Sequence, residues 1–260
     1  MRREIEGIRT VMRAIVDLAV PRICICCGKV LPLQEEHLCA ECMADIPLCR
    51  FGKLRLNPVS ESFNALLQTL DGNSYFPFSY ALSLFFYRGD YRKITRELKY
   101  KRNFGAGKFA SGMLADCLAA SPFFRDVDLV LPVPLHRMRR WERGYNQAEV
   151  IARAICRRLD APLDTSLLRR SSRTRSQTAL HRNERLSNVL KAFSVRIRRL
   201  HRIGKRQAIP RHILLVDDVF TTGATLAACA TVLRAAFREA LPEHAASLRI
   251  SVCTLAAVIP

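Results

Sequence analysis

The sequence lacks any long apolar run. Its uninterrupted hydrophobic stretches fall short of the about 20 residues that a membrane-spanning helix needs. The first residues also lack the apolar core of a signal peptide, because Glu4, Glu6, Arg13 and Asp17 interrupt it. We therefore expect no transmembrane segment, no export, and a cytoplasmic location in which thiols stay reduced.

Acidic residues are scarce relative to basic ones. Of 260 residues, 42 are Lys or Arg and 23 are Asp or Glu, which gives a formal net charge of +19. Arginine runs at residues 169–175 and 196–202 supply much of the excess. Two interpretations stay open: an arginine-rich surface without a dedicated partner, or attraction to polyanions such as a pyrophosphate-bearing substrate, single-stranded DNA or acidic lipid.

Two familiar phosphate-handling motifs are missing. The pair Gly204-Lys205 has no glycine at the upstream spacing of a P-loop and no Ser or Thr after it, which argues against a P-loop nucleotidase. A response-regulator receiver begins with an apolar strand that ends in two aspartates, but it also needs a phosphoacceptor aspartate on a later strand. No aspartate follows Asp218, so this class is disfavoured as well.

The most informative segment that is present spans residues 213–225, with the sequence Ile-Leu-Leu-Val-Asp-Asp-Val-Phe-Thr-Thr-Gly-Ala-Thr. Its four leading apolar residues predict a buried parallel strand at 213–216, and a helix is expected at 224–240. Between them, Asp217 and Asp218 precede a Thr/Gly loop that can direct N–H groups and hydroxyls at one anion. Because paired carboxylates can hold a sugar diol or a hard cation, the pattern predicts a phosphorylated-sugar site.

This segment resembles the phosphoribosyl-pyrophosphate signature of type I phosphoribosyltransferases. The resemblance implies that Asp217 and Asp218 contact the ribose hydroxyls while the loop wraps the 5′-phosphate. The loop residues are Thr221, Thr222, Gly223, Ala224 and Thr225. The ligand-free alternative is a strand, a polar turn and a helix capped by Thr222 or Thr225.

Six of the ten cysteines lie between residues 24 and 49. Two Cys-x2-Cys knuckles are formed by Cys24, Cys27, Cys39 and Cys42. Four thiolates at this spacing can converge on one structural Zn²⁺, which leaves no open position for a catalytic water. Cys26 lies inside the first knuckle and can replace a neighbour, so the quartet stays open; free thiols are the alternative.

Strands and helices are expected to alternate along the rest of the chain. Strands are predicted at residues 80–87, 127–133 and 213–216, and helices at 90–101, 108–120, 147–159 and 224–240. This order predicts an α/β fold with a doubly wound, mostly parallel sheet that binds ligands at the carboxyl ends of its strands. The expected division is an amphipathic helix at 1–22, a small four-cysteine zinc module at 23–50, a linker at 51–75 and the α/β domain at 76–260.

A proline-stiffened turn follows the strand predicted at 127–133. Its run Pro-Val-Pro-Leu-His, residues 132–136, leads through several arginines into Arg-Gly-Tyr-Asn-Gln at 143–147. Planar guanidinium groups suit a diphosphate, so this turn is a candidate pyrophosphate site. The candidate residues are Arg137, Arg139, Arg140 and Arg143.

The two phosphate-type motifs and the cysteine knuckles together resemble the ComF family over residues 17–256. The segment 173–180 and the residues Arg182, Arg185 and Asn188 also fit it. The resemblance implies a type I phosphoribosyltransferase-like domain that binds phosphoribosyl pyrophosphate with Mg²⁺, an N-terminal Zn²⁺ region, and a link in some members to competence and DNA uptake. Cys49 has no partner cysteine at 50–52, so a second zinc is not expected.

Three functions follow from these patterns. An active phosphoribosyltransferase, with a mobile lid near residues 174–181, would displace pyrophosphate from ribose C1 with a nitrogen nucleophile. A non-catalytic relative would sense phosphoribosyl pyrophosphate or nucleotides, because no segment identifies an acceptor. An accessory protein of DNA uptake would bind single-stranded DNA or uptake proteins. Trp141 and Tyr145 among arginines resemble a nucleic-acid surface, although packing of Trp141 against its own helix is the favoured interpretation.

Overall fold

A four-stranded parallel sheet forms the centre of the computed structural model, which describes residues 12, 14, 16–72, 76–100, 104–170, 189–206 and 209–259. The strands are β1 (Ala81–Phe86), β2 (Leu129–Pro132), β3 (Leu168–Arg170), β4 (Phe193–Val195), β5 (His212–Phe220) and β6 (Arg249–Ala257). The sheet order is β1-β6-β5-β2, and β3 pairs with β4 in a separate antiparallel ribbon.

Nine α-helices are delimited in the described part of the chain. They are α1 (Ala40–Ala44), α2 (Pro58–Asp71), α3 (Arg92–Tyr100), α4 (Phe104–Ala120), α5 (Arg137–Arg143), α6 (Gln147–Leu159), α7 (Ile197–Arg206), α8 (Ala224–Ala240) and α9 (Pro242–Ala245). Short 3-10 turns cover Phe51–Lys53 and Gly89–Tyr91. Within the described ranges, no helix combines the length and apolarity needed to cross a membrane.

Both faces of the sheet are covered by helices. Side chains alternate along a strand, so Ile213 and Leu215 of β5 pack with α2, α7 and α8 on one face. Leu214 and Val216 pack with α4 and α6 on the other. Burial on both faces explains the continuous apolar run in β5 and confirms the predicted α/β fold with a parallel sheet.

Strand β5 is longer than the sequence pattern predicts. The strand expected at residues 213–216 continues to Phe220, with Asp217 opposite Thr254 and Phe220 opposite Ala257 of β6. The extension follows from continued pairing with β6 and from burial of Phe220. The two aspartates therefore lie within the strand rather than after it, whereas α6 and α8 have their predicted bounds.

The segment predicted as a linker, residues 51–75, contains helix α2. Asn57 caps this helix through the N–H groups of Val59 and Ser60, and Pro58 occupies its first turn, where a missing N–H is tolerated. Phe63 is buried in the core beside α8. Pro58 thus marks the start of a packed helix rather than a connector.

The cysteine-rich region packs on the same core as the sheet. Cys26 and Leu38 are buried in one apolar cluster with Leu84 of β1. The Cys49 N–H donates to the Leu84 carbonyl at 3.0 Å, which covers part of the free edge of β1. The division into separate domains stays a prediction.

Two predicted features lie outside the described residues. The amphipathic helix at 1–22 is described only from Met12 onward and in part, with residues 16–19 helical. The segment assigned to a lid, together with Arg182, Arg185 and Asn188, falls in the undescribed range 171–188.

A buried ion pair joins α8 to α2. Arg234 Nη1 lies 2.7 Å from Asp71 Oδ2, and both side chains are 4% exposed. The Arg234 guanidinium also lies over the Phe76 ring, 4.1 Å from its centroid. Desolvation lowers the pKa of Arg234, and Asp71 opposes that shift.

Replacing Asp71 with alanine should lower the free energy of unfolding by about 3–5 kcal/mol, because Arg234 would remain buried without its counter-charge. Chemical denaturation monitored by circular dichroism measures this loss. The double variant Asp71→Leu with Arg234→Met should be close to wild type in stability. A double variant as unstable as Asp71→Ala would show that side-chain shape, rather than the unpaired charge, causes the loss.

Candidate functional site

The carboxyl ends of β2 and β5 lie side by side. Pro132 is opposite Val216, and the Val133 N–H donates to the Val216 carbonyl at 2.9 Å. The proline-rich turn therefore begins next to the acid pair. This is the edge at which open parallel sheets bind their ligands.

The two aspartates form a coupled acidic pair. The Asp218 N–H donates to Asp217 Oδ1 at 2.8 Å, and Lys99 Nζ lies 2.8 Å from Asp218 Oδ2. Burial and the neighbouring Asp218 charge raise the pKa of Asp217 to about 7, while the Asp218 N–H, Lys99 and Arg170 oppose the rise. The pair can thus accept hydrogen bonds from hydroxyl groups with only part of its full negative charge.

Gly223 fixes the shape of the Thr/Gly loop. Its φ of +75° is unfavourable for any residue with a side chain. A Cβ there would lie 2.6 Å from Phe220 Cζ and 3.1 Å from Leu66 Cδ1. The apolar core therefore holds the loop closely from below, while Thr221 and Thr222 are exposed above.

Several N–H groups of the loop at the start of α8 have no hydrogen-bond acceptor in the described part of the chain. The first bond inside the helix runs from the Ala227 N–H to the Gly223 carbonyl at 2.9 Å. Among the described residues, none accepts a hydrogen bond from the N–H groups of Thr221, Thr222, Gly223 or Thr225. Free donors beside a helix N-terminus make an anion-binding surface.

The arginines predicted to receive pyrophosphate lie on helix α5 rather than on an open turn. His136 caps α5 by accepting from the Met138 N–H. Arg140 lies 3.8 Å from Glu149 Oε2, and Arg143 donates to Gln147 Oε1 at 3.0 Å. Arg137 and Arg139 are exposed.

Arg139 is linked electrostatically to the acid pair through Arg170. Burial lowers the pKa of Arg170, the positive charge of Arg139 lowers it further, and Asp217 opposes the shift. Arg170, at the end of β3, therefore lies close enough to Arg139 and Asp217 for both charges to shift its pKa. Lys99 of α3 and Arg170 of β3 thus place positive charge near the two aspartates.

Lys99 and Arg170 are site residues that the sequence motifs did not identify. Lys99 ends a basic helix, and Arg170 belongs to an arginine run, so each matched a solvated surface equally well. Only the packing of α3 and β3 brings them to the acids. The basic cluster after Leu98 is visible in the sequence, but the sequence does not show which part of the fold it contacts.

Trp141 does not pack against its own helix. Its side chain is 86% exposed on α5, so the favoured sequence interpretation is wrong. Tyr145 behaves differently, because its hydroxyl donates to the Leu98 carbonyl and ties the turn after α5 to α3. Of Trp141 and Tyr145, it is therefore Trp141 whose ring is available to a ligand on this surface.

The four knuckle cysteines converge. The sulfur atoms of Cys24, Cys27, Cys39 and Cys42 all lie within 4.8 Å of one another. The Cys27 and Cys39 sulfurs are 3.6 Å apart, close to the about 3.8 Å expected for two thiolates on a tetrahedral zinc with about 2.3 Å bonds. The quartet can therefore hold a structural zinc ion.

Cys26 is not part of this quartet. It is buried in the apolar cluster, and desolvation raises the pKa of its thiol to about 12. Cys24 differs: burial raises its pKa, but N–H groups of Cys27, Cys39 and Cys26 reverse that shift and lower it to about 6. Cys24 is thus prepared to bind a cation as thiolate, whereas Cys26 behaves as a core residue.

Cys39→Ser should release zinc and lower the thermal midpoint, because a structural metal site contributes directly to folding. Native mass spectrometry and differential scanning calorimetry measure both effects. Cys26→Ala is the matched control and should retain one zinc. A wild-type protein purified with zinc in the medium but carrying none would contradict the assignment.

Comparisons with known proteins identify relatives of this chain. No family model and no solved structure matches it. It is 36% identical over 107 residues to Competence protein F of Haemophilus influenzae, which covers 41% of this chain and 44% of that protein. It is 26% identical over 223 residues to DNA utilization protein YhgH of Escherichia coli K12, which covers 83% and 92%.

A third relative is Competence protein ComFC of Bacillus subtilis, with 27% identity over 206 residues and coverage of 78% of this chain and 68% of that protein. The chain spans less than half of the first relative but most of the other two. These relatives carry competence and DNA-utilization names, and they match the family that the combined motifs resemble. These similarities support the resemblance to the ComF family.

Proposed function

We propose that this protein binds phosphoribosyl pyrophosphate, or a closely related phosphorylated pentose, at the carboxyl ends of β2 and β5. One observation carries the proposal: two residues after Asp218, the strand ends in a loop whose Thr221 and Thr222 are exposed and whose N–H groups have no acceptor among the described residues. Acceptors for a diol and donors for a phosphate thus lie within residues 217–225, at the end of one strand.

Each part of the ligand has a chemically matched group. The carboxylates of Asp217 and Asp218 accept hydrogen bonds from the ribose 2′- and 3′-hydroxyls. The loop N–H groups, with the hydroxyls of Thr222 and Thr225, donate to the 5′-phosphate. Because the loop is held by Phe220 and Leu66, little ordering is needed when the phosphate binds.

Magnesium fits this donor set when the ligand is present. Mg²⁺ favours one or two carboxylates together with phosphate oxygens and water, and Asp217 and Asp218 are the carboxylates available at the site. The ion would supply positive charge to the diphosphate.

Group transfer is the second step of the proposal. A nitrogen acceptor forms a bond to ribose C1 as the bond from C1 to the diphosphate oxygen breaks, so pyrophosphate leaves with that electron pair. Arg137, Arg139 and Arg170 place positive charge near the end of β2 and can stabilise the leaving group. The acid pair holds the sugar while positive charge develops on its ring.

The Asp217→Asn, Asp218→Asn double variant should bind phosphoribosyl pyrophosphate at least about a hundredfold more weakly, since each lost charged hydrogen bond contributes about 1.5–3 kcal/mol. Isothermal titration calorimetry with Mg²⁺ measures the affinity. Asp116→Asn, an exposed acid paired with Arg158, is the control and should bind as wild type does. Equal affinity in wild type and the double variant would refute the site.

Pyrophosphate release distinguishes an enzyme from a sensor. An active transferase releases pyrophosphate when phosphoribosyl pyrophosphate is mixed with one of a panel of nitrogenous bases. A non-catalytic sensor binds the sugar and releases none with any base. Both outcomes are compatible with the proposed binding of the sugar phosphate.

A second candidate function, the binding of single-stranded DNA, is favoured by Trp141. An indole that is 86% exposed on an arginine-rich helix offers a stacking surface beside cations for the phosphates. The net charge of +19 supports the same interpretation. The competence and DNA-utilization names of the relatives agree with it.

Single-stranded oligothymidylate should quench the fluorescence of Trp141, the only tryptophan of the chain. Trp141→Ala should weaken binding by about 1–3 kcal/mol, because one stacked base is lost. Fluorescence anisotropy of a labelled oligonucleotide compares the variants. Leu56→Ala, another exposed apolar position, should have no effect. Unquenched Trp141 at saturating DNA would exclude α5 as the DNA-binding surface.

A further inference from the structure

We propose that Lys99 is a specificity-determining residue that makes the site prefer sugars with a diphosphate at C1 over sugars that carry only a 5′-phosphate. This inference rests on the proposed binding of a phosphorylated pentose. Lys99 belongs to neither of the two motifs that define the site.

The contact that motivates this role is the ion pair between Lys99 and Asp218. Lys99 Nζ lies 2.8 Å from Asp218 Oδ2, with the two side chains 23% and 13% exposed. Water therefore screens the pair only partly, and its attraction exceeds that of a surface pair. In this arrangement Lys99 occupies one of the carboxylate oxygens that a ribose hydroxyl would use.

The backbone that carries Lys99 is held in place. Leu98 is fully buried, and its carbonyl accepts the hydrogen bond from the Tyr145 hydroxyl. The lysine side chain is different, because its charge ends a flexible four-carbon stem. The amine can therefore exchange partners without movement of α3.

The exchange has opposite consequences for two classes of ligand. A ribose hydroxyl that binds Asp218 displaces the Lys99 amine. With ribose 5-phosphate, the amine loses its anion in a poorly solvated position, which opposes binding. With phosphoribosyl pyrophosphate, the diphosphate on C1 lies next to the 2′-hydroxyl and gives the amine a new anionic partner. Lys99 thus penalises the first ligand and stabilises the second.

A purely structural role is the competing explanation. In that case Lys99 only neutralises the buried Asp218 carboxylate, and its removal weakens all ligands alike through loss of local order. The ratio of two affinities separates the explanations, because a general loss cancels in the ratio.

The test uses calorimetry of the full-length protein with Mg²⁺ and two probes, phosphoribosyl pyrophosphate and ribose 5-phosphate. Lys99→Gln should lower the affinity for phosphoribosyl pyrophosphate relative to that for ribose 5-phosphate at least tenfold. The variant should bind ribose 5-phosphate as well as wild type does, or better. Lys99→Arg should restore the preference. Arg96→Gln removes the same charge from an exposed position one turn earlier on α3 and should leave the ratio unchanged.

A measurement on wild type makes the test independent of variant folding. Inorganic pyrophosphate offers the amine a free anion, so it should raise the wild-type affinity for ribose 5-phosphate severalfold and have no such effect on Lys99→Gln. Lys99→Met repeats the comparison if the glutamine variant unfolds.

Two results would overturn the role of Lys99 while the proposed site stands: an unchanged ratio in Lys99→Gln, which includes equal losses for both sugars, or no effect of pyrophosphate on wild type. If wild type binds neither sugar, the proposed function fails, and the role of Lys99 fails with it.

Discussion

The pairing of β5 between β2 and β6 is the interaction on which the candidate site depends. It keeps β5 extended as far as Phe220, so the acid pair stays attached to a rigid strand. The same pairing places the turn after β2 beside Val216. Because both faces of the sheet are covered, the carboxylates and the loop can open only at the strand ends. The position of the site is therefore a consequence of the sheet.

Much of this arrangement could be predicted from sequence because local patterns determined it. The apolar run before Asp217, the helix after Gly223 and the knuckle spacing each specify geometry over a few residues. The α/β fold and the convergence of four cysteines followed from such patterns. Helix α2 did not, since its Asn57 cap and Pro58 resembled a boundary until burial of its apolar face showed otherwise.

Long-range placement was the part that sequence could not supply. Lys99 precedes Asp218 by more than a hundred residues, and nothing near it specifies which surface α3 contacts. Trp141 shows the reverse limit: its helical context was compatible with packing, yet no neighbouring element covers that face among the described residues. Contacts between residues distant in sequence therefore determine the charge around the two aspartates, and the lack of such contacts within the described ranges leaves Trp141 exposed on α5.

The close fit of Gly223 against Phe220 and Leu66 links the Thr/Gly loop to α2, which carries Leu66. Leu66 is distant from the loop in sequence, so the packing of α2 contributes to the shape of the loop together with Phe220 of β5. Local melting of α2 would remove Leu66 from the loop and leave Phe220 in place. The conformation of the loop is therefore coupled to the docking of α2 as well as to the sheet.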